Sequence, residues 1–249
     1  MEWIKSCVLD FVDMAKAIKS LSVFFPAYNE EAHIRNTVLA AKKVLEKIAD
    51  NWEITVVDDG SKDATGNVSD KLAEEDFRIK VIHHRQNKGY GAAFKSGFYS
   101  ARSPWIAFTD SDGQFDFSEI INFIKKQNDT KADLVIGFYK DRKVSLGKKI
   151  TSKMWEYLVF VLFGLKVKDI DCGFKLVSKK VIDKISRLES ERGAFISSEF
   201  LIKAKKAGFK IEEVAVTHHP RKKGAGTGRK LNVIVNSFVD LMKLWKKLR

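Results

Sequence analysis

Short apolar runs alternate with helix-length stretches through the first half of the chain, and this rhythm restricts the fold more than any other feature. Leu21–Phe25, Glu53–Val57, Ile79–His83 and Trp105–Thr109 read as buried strands, and Asp133–Phe138 as a fifth. Helical patterns lie between them at Glu31–Ala49, Ala64–Glu75, Gly91–Ala101 and Ser118–Asn128. Apolar strands alternating with helices predict an α/β protein whose central, mostly parallel sheet is covered by helices on both faces. The second half is less regular. It reads as a helix at Lys148–Phe163, a strand at Phe174–Val177, a helix at Ser197–Ala207, a strand at Ile211–Val216 and a polar loop at Thr217–Gly228. The last helix, Leu231–Leu248, repeats Leu231, Ile234, Val235, Phe238, Leu241, Met242 and Trp245 at helical spacing.

Charge is spread unevenly. Residues 1–140 hold 19 basic and 21 acidic side chains, whereas residues 141–249 hold 26 basic and 11 acidic, a net of +15. Such asymmetry implies an anionic partner for one part of the molecule: a phosphorylated lipid, a membrane surface or nucleic acid. With 18 Phe, 5 Trp and only 3 Pro, the composition excludes a disordered chain. Two cysteines, Cys7 and Cys172, exclude a disulfide framework and fit a reducing, cytosolic setting. Lys5, Asp10, Asp13, Lys16 and Lys19 interrupt any secretory leader. The longest apolar run, Tyr157–Leu165, has nine residues, against the roughly 20 that a spanning helix needs.

Ligands of parallel sheets bind beyond the carboxyl ends of the strands, so the residues that follow each strand form the candidate functional layer. After the first strand comes Pro26-Ala27-Tyr28-Asn29-Glu30-Glu31: Tyr28 offers a ring and Glu30 an acceptor to a base, or Asn29 simply caps the next helix. After the second, the adjacent carboxylates Asp58 and Asp59 suit ribose hydroxyls or a base edge, while Asp63 suits the turn that opens the next helix. After the third, the small residues of Asn87-Lys88-Gly89-Tyr90-Gly91 let backbone approach a diphosphate; Phe94 in the third glycine position excludes a dinucleotide fingerprint. After the fourth comes Asp110-Ser111-Asp112-Gly113-Gln114. Two carboxylates one residue apart can converge on a hard cation, Mg²⁺ or Mn²⁺, with positions left for water and phosphate oxygens. Phe115 and Ile121 stand where an EF-hand needs glycine and glutamate. The pairs His83–His84 and His218–His219 do not suggest zinc, because adjacent residues on a strand face opposite ways.

In this order PAYNEE, VVDDGSKDAT, NKGYGAA and DSDGQ resemble the family 2 glycosyltransferases of GT-A fold. Asp169-Ile170-Asp171-Cys172-Gly173-Phe174-Lys175 and the segment from His219 to Gly228 resemble, within that family, the polyprenyl-phosphate hexosyltransferases, a group that includes dolichyl-phosphate mannose and glucose synthases. The resemblance implies a nucleotide-sugar donor held at Pro26, Ala27, Tyr28, Glu30, Asp58 and Asp59, with Gly89 and Ser111 beside them. It implies a divalent metal and the donor diphosphate at Asp110, Asp112 and Gln114. Phosphate and acceptor contacts map onto Arg142, Ser152, Arg221 and Lys223. Glu199 falls where relatives often carry an acid near the reaction centre, and Asp171 is a second candidate. One departure is Gly137-Phe138-Tyr139 where relatives often have Gly-Ser-Arg; the basic residue here is Arg142. The expected organisation is an amphipathic extension over residues 1–20, a catalytic domain over 21–228 and a basic amphipathic helix over 229–249.

The implied reaction is an inverting, metal-dependent hexosyl transfer. A lipid phosphate acceptor is mostly dianionic at neutral pH, its second pKa being about 6, and needs no strong base. A sugar hydroxyl needs one within reach, for which Glu199 and Asp171 are the candidates. The basic half favours the lipid. Trp155–Phe163 lies between Lys148, Lys149, Lys153 and Lys166, Lys168, and the last helix combines Trp245 with Lys243, Lys246, Lys247 and Arg249. Together with Trp3, Ile4, Val8, Phe11 and Ile18, these pieces suit peripheral attachment to the cytoplasmic face of a membrane. The alternatives are a transferase of the same fold acting on a soluble or polysaccharide hydroxyl, and a nucleic-acid-binding protein. No nucleic acid is expected, since the basic stretches carry no recognisable binding motif.

Overall fold

The computed structural model describes residues 16–140, 146–191, 193, 195–219 and 231–248. In chain order these form β1 (Ile18–Ala27), α1 (Ile34–Ile48), β2 (Ala49–Asp58), α2 (Thr65–Glu75), β3 (Ile79–His83), α3 (Tyr90–Ser100) and β4 (Trp105–Phe108). A 3₁₀ turn (Phe117–Glu119) leads into α4 (Ile120–Thr130), followed by β5 (Leu134–Tyr139), α5 (Leu146–Phe163), β6 (Lys175–Ser178), α6 (Lys179–Lys184), α7 (Phe195–Lys206), β7 (Ile211–Val216) and α8 (Leu231–Leu248). Residues 1–15 of the expected extension lie outside the described residues, and β1 begins inside its last part, at Ile18. The short helix α6 has no counterpart in the sequence expectations.

The seven strands form one sheet in the order β3-β2-β1-β4-β6-β5-β7. All pairings are parallel except those of β6, which runs antiparallel to β4 and β5. Register aligns the carboxyl ends of three strands: Ala27 lies opposite Asp58, and Phe24 opposite Phe108. Because β6 is reversed, its first residue, Lys175, pairs with Phe108. The segment Cys172–Phe174 therefore arrives beside the residues that leave β4.

Alternating residues feed two apolar layers. Val23, Phe25, Ile54, Val56 and Leu176 pack with Ile34, Val38 and Phe123 on one face. On the other, Phe24, Ile106 and Phe108 pack with Phe94, Phe98 and Phe200. Phe24 and Phe108 stack at 5.1 Å, and Phe94 meets Phe98 edge-on at 4.6 Å. This aromatic layer anchors α3 against the sheet.

One correction concerns the entry to α1. The helix starts at Ile34, after a turn over 31–33, and Asn29 is not its cap. Asn29 instead takes a left-handed conformation, φ 55°, and its Oδ1 accepts from Lys62 N at 2.8 Å, tying the turn after β1 to the turn after β2. Asparagine tolerates that backbone better than most residues. Asp63 does open α2, its Oδ1 accepting from Thr65 N at 3.0 Å.

A buried clamp fixes the chain before α7. Glu199 accepts from Glu189 N and Ser190 N, both at 2.8 Å, and from Lys203 Nζ at 2.6 Å. Lys203 also donates to Arg187 O at 2.7 Å, and Glu191 O accepts from Ala92 N at 3.1 Å, so the clamp reaches the first turn of α3. Burial works to raise the Glu199 pKa, but the hydrogen bonds from Lys203, Ser190 and Glu189 outweigh it and hold the carboxyl below its ordinary value. Replacing Glu199 with Ala strands a lysine that is buried in the fold. Urea titration should show a loss of about 3–5 kcal/mol. The contribution is fully present above the unfolded carboxyl value of 4.5 and fades as pH falls through the lower folded value. A loss under about 1 kcal/mol, the size of an exposed pair, would contradict this reading.

Candidate active site

Asp110 leaves the end of β4, with its carboxylate set into the edge of the fold. Tyr90, the first residue of α3, donates its hydroxyl to Asp110 Oδ1 at 3.1 Å. On another side lies Gly173, where an added Cβ would stand 2.3 Å from Oδ2, so only glycine leaves room for this acid. Lys175, fully buried, donates from Nζ to the Cys172 carbonyl, and its charge partly offsets Asp110. Burial, and then the charge of Asp112, push the Asp110 carboxyl up to about 6; Glu30 adds to the repulsion, while Tyr90 and Lys175 oppose it. The same burial pulls the Lys175 ammonium below its usual value.

These residues fit a divalent cation. Asp110 and Asp112 offer hard oxygen donors, and a cation beside Asp110 would offset the burial and the repulsion that raise its pKa. Among the described residues no three His, Cys, Asp or Glu side chains cluster to hold a metal. Two carboxylates leave coordination positions for water and phosphate oxygens, the pattern expected where Mg²⁺ or Mn²⁺ binds together with a diphosphate. Asp112 Oδ1 also accepts from Gln114 N at 3.1 Å. Gln114 Nε2 donates to His219 O at 2.9 Å, which brings the exit of β7 to the acidic turn.

The turns after β1 and β2 interlock beside this centre. Ala27 O accepts from Asp59 N at 2.9 Å, and Glu30 N donates to Thr65 Oγ1 at 2.8 Å. Pro26 O accepts from the buried Ser111 hydroxyl at 2.7 Å, joining this turn to the β4 turn. Tyr28 is half-buried, and Glu30 is buried. Asp58 accepts from Ser61 N at 2.9 Å and pairs with His83 Nδ1 at 3.0 Å; Asp59 pairs with His84 Nδ1 at 2.6 Å. Asp59 also receives Lys88 N at 2.9 Å and Gly89 N at 2.8 Å, holding the turn in which Gly89 adopts φ 101°. The two histidines are thus structural partners of the acidic pair. Hydrogen bonds to Asp70 and Asp58 outweigh burial and raise the His83 pKa.

The remaining expected residues divide into two groups. Asp171 is exposed two residues before Gly173, with its N–H on Asp169 Oδ1 at 3.0 Å. Ser152 is half-buried on α5. Glu199 is engaged in the clamp, its oxygens accepting from Glu189 N, Ser190 N and Lys203 Nζ. Arg142, Arg221 and Lys223 lie outside the described residues. Tyr90, Gly173 and Lys175 were not among the expected site residues, although each stands inside a quoted motif. The visible signal for Lys175 is a lysine within an apolar strand.

The sequence matches the glycosyl transferase family 2 model over residues 22–186. Among its relatives, dodecaprenyl-phosphate galacturonate synthase of Rhizobium johnstonii is 31% identical, over 87% of this chain and 64% of its own length. Dolichyl-phosphate beta-glucosyltransferase of Saccharomyces cerevisiae is 32% identical, over 80% of this chain and 66% of its own length. Glycosyltransferase AglD of Haloferax volcanii is 30% identical, over 81% of this chain and 33% of its own length. The chain therefore spans between one third and two thirds of the length of these relatives. Glucosyl-3-phosphoglycerate synthase from Mycobacterium tuberculosis, solved with Mn²⁺, UDP and phosphoglyceric acid, shares the fold with a TM-score of 0.66 at 18% identity, covering 92% of this chain and 78% of that one. By the family match and these identities, the chain belongs to glycosyl transferase family 2.

Proposed function

We propose that this chain transfers a hexose from a nucleotide sugar to a polyprenyl phosphate, with inversion at the anomeric carbon, at the cytoplasmic surface of a membrane. The observation that carries the reading is the acidic turn at the end of β4, where Asp110 and Asp112 stand beside the joined turns of β1 and β2. Tyr28 and Glu30 would receive the nucleoside, while Asp58 and Asp59 shape the wall and use their remaining lone pairs toward it. Asp110, Asp112 and the Gln114 Oε1 would hold Mg²⁺ or Mn²⁺. When bound there, the cation supplies Lewis-acid stabilisation of the charge that grows on the departing diphosphate.

A lipid phosphate arrives already ionised, so attack on the anomeric carbon needs no protein base. That suits a site in which Glu199 is engaged by Lys203 and two backbone N–H groups. Arg142, Arg221 and Lys223 are the proposed contacts to the acceptor phosphate, with Ser152 beside them. Two relatives, a dodecaprenyl-phosphate galacturonate synthase and a dolichyl-phosphate beta-glucosyltransferase, support the same acceptor class.

The membrane part rests on α5. Its inner side packs through buried Val159 and through Trp155, whose Nε1 donates to Ser198 Oγ at 3.0 Å. Ile150, Met154, Tyr157 and Val161 recur at helical spacing on an exposed side, with Met154 and Tyr157 at 66% and 69% exposure. Lys153, Lys166 and Lys168 are exposed around this stripe, a pairing of apolar area and positive charge that fits an anionic headgroup region. No helix among the described residues is long and apolar enough to cross a membrane.

Labelled sugar nucleotides offered with polyprenyl phosphate should move label into the organic phase only with Mg²⁺ or Mn²⁺ present. Asp110→Asn with Asp112→Asn should lower the rate at least about 100-fold; an undiminished rate in the double variant or in chelator would overturn the metal site. Flotation with vesicles containing anionic lipid should recover the full chain at low salt. Met154→Ser with Tyr157→Ser should weaken this at least about tenfold, and unchanged flotation would remove α5 from the proposed contact.

A further inference from the structure

Asp110 is held from two sides. Its Oδ1 receives the Tyr90 hydroxyl, and its carboxylate lies in the niche that any side chain on Gly173 would fill. Tyr90 is fixed in turn: the two preceding N–H groups are bound by Asp59, and its ring rests against Phe94, 6.1 Å between centroids. Neither end of the Tyr90–Asp110 hydrogen bond is free to swing.

We propose that Tyr90 is a positioning residue that occupies Oδ1 of Asp110, leaves Oδ2 as the oxygen offered to a cation, and thereby tunes the site for Mg²⁺ or Mn²⁺ against Ca²⁺. This rests on the metal reading given above. A carboxylate free to rotate can present both oxygens. Ca²⁺ accepts such bidentate ligands readily at about 2.3–2.6 Å, whereas the smaller ions demand near-octahedral shells with tighter geometry. A hydrogen bond from the Tyr90 phenol draws on one Oδ1 lone pair, fixes the carboxylate's rotation and so disfavours the bidentate option. Fixing a metal ligand from behind in this way also raises affinity for the intended ion.

The test is direct binding, independent of turnover. Free Mn²⁺ is followed by its electron paramagnetic resonance signal as the full chain is titrated with UDP or with GDP present, and Ca²⁺ is then added as competitor. Tyr90→Phe should lower Mn²⁺ affinity about 10-fold, while Ca²⁺ affinity holds or rises, with far-UV circular dichroism unchanged. Gly173→Ala, which displaces the same carboxylate without touching the phenol, should move the Mn²⁺/Ca²⁺ ratio in the same direction and carries the test if Tyr90→Phe does not fold. Equal losses for both ions, or an unchanged ratio in the folded variants, would overturn the role of Tyr90. Asp110→Asn separates the two readings. If it abolishes Mn²⁺ binding while Tyr90→Phe leaves the ratio unchanged, only this inference fails; if Mn²⁺ binding survives Asp110→Asn, the metal site itself fails.

Discussion

A carboxylate withdrawn from water at the end of β4, with a second acid two residues on, is the constraint around which this edge of the protein is arranged. Burial of charge is costly unless something compensates, and the compensation here comes from distant parts of the chain. Tyr90 supplies a donor from α3, Lys175 supplies charge from β6, and Gly173 supplies space. What these do not cancel is the burial itself and, after it, the repulsion of Asp112, which together leave the Asp110 carboxyl raised to about 6. A site left in that condition suits an incoming cation, whose charge would offset both costs.

The neighbouring acids follow a different logic. Asp58 and Asp59 also sit buried at a strand end, but their oxygens meet His83, His84 and three backbone N–H groups. They organise turns. Asp59 in particular sets the backbone that delivers Tyr90, so a residue read as a nucleoside contact also governs the surroundings of Asp110. The Glu199–Lys203 pair extends the same theme to the opposite flank of α3, where Glu191 O meets Ala92 N.

Most of the sheet was legible because buried strands announce themselves as apolar runs: β3 and β7 have the expected limits, and the others shift by a few residues. The direction of β6 was not legible. Lys175–Ser178 is too short to carry a directional signal, and the sequence rhythm that forecasts crossovers says nothing about a strand inserted backwards between β4 and β5. That one reversal is what brings Gly173 to Asp110, so the most consequential contact of the site depended on an unread feature. Asp110 and Asp112 were legible because their spacing is local. The partners of Glu199 were not legible for the converse reason: a carboxylate in sequence does not disclose that a lysine one turn later and a loop ten residues earlier will donate to its oxygens.

The reversed strand also determines how the centre is divided along the chain. Asp110, Asp112, Tyr90 and the interlocked turns all precede residue 140, whereas Gly173 and Lys175 follow the segment that links β5 to α5. Neither portion holds a finished centre, because the acid comes from one and the niche that admits it from the other. Asp110 therefore meets Gly173 only where β6 joins the sheet, and a polypeptide emerging from the ribosome lacks this edge until β6 has slotted between strands made earlier.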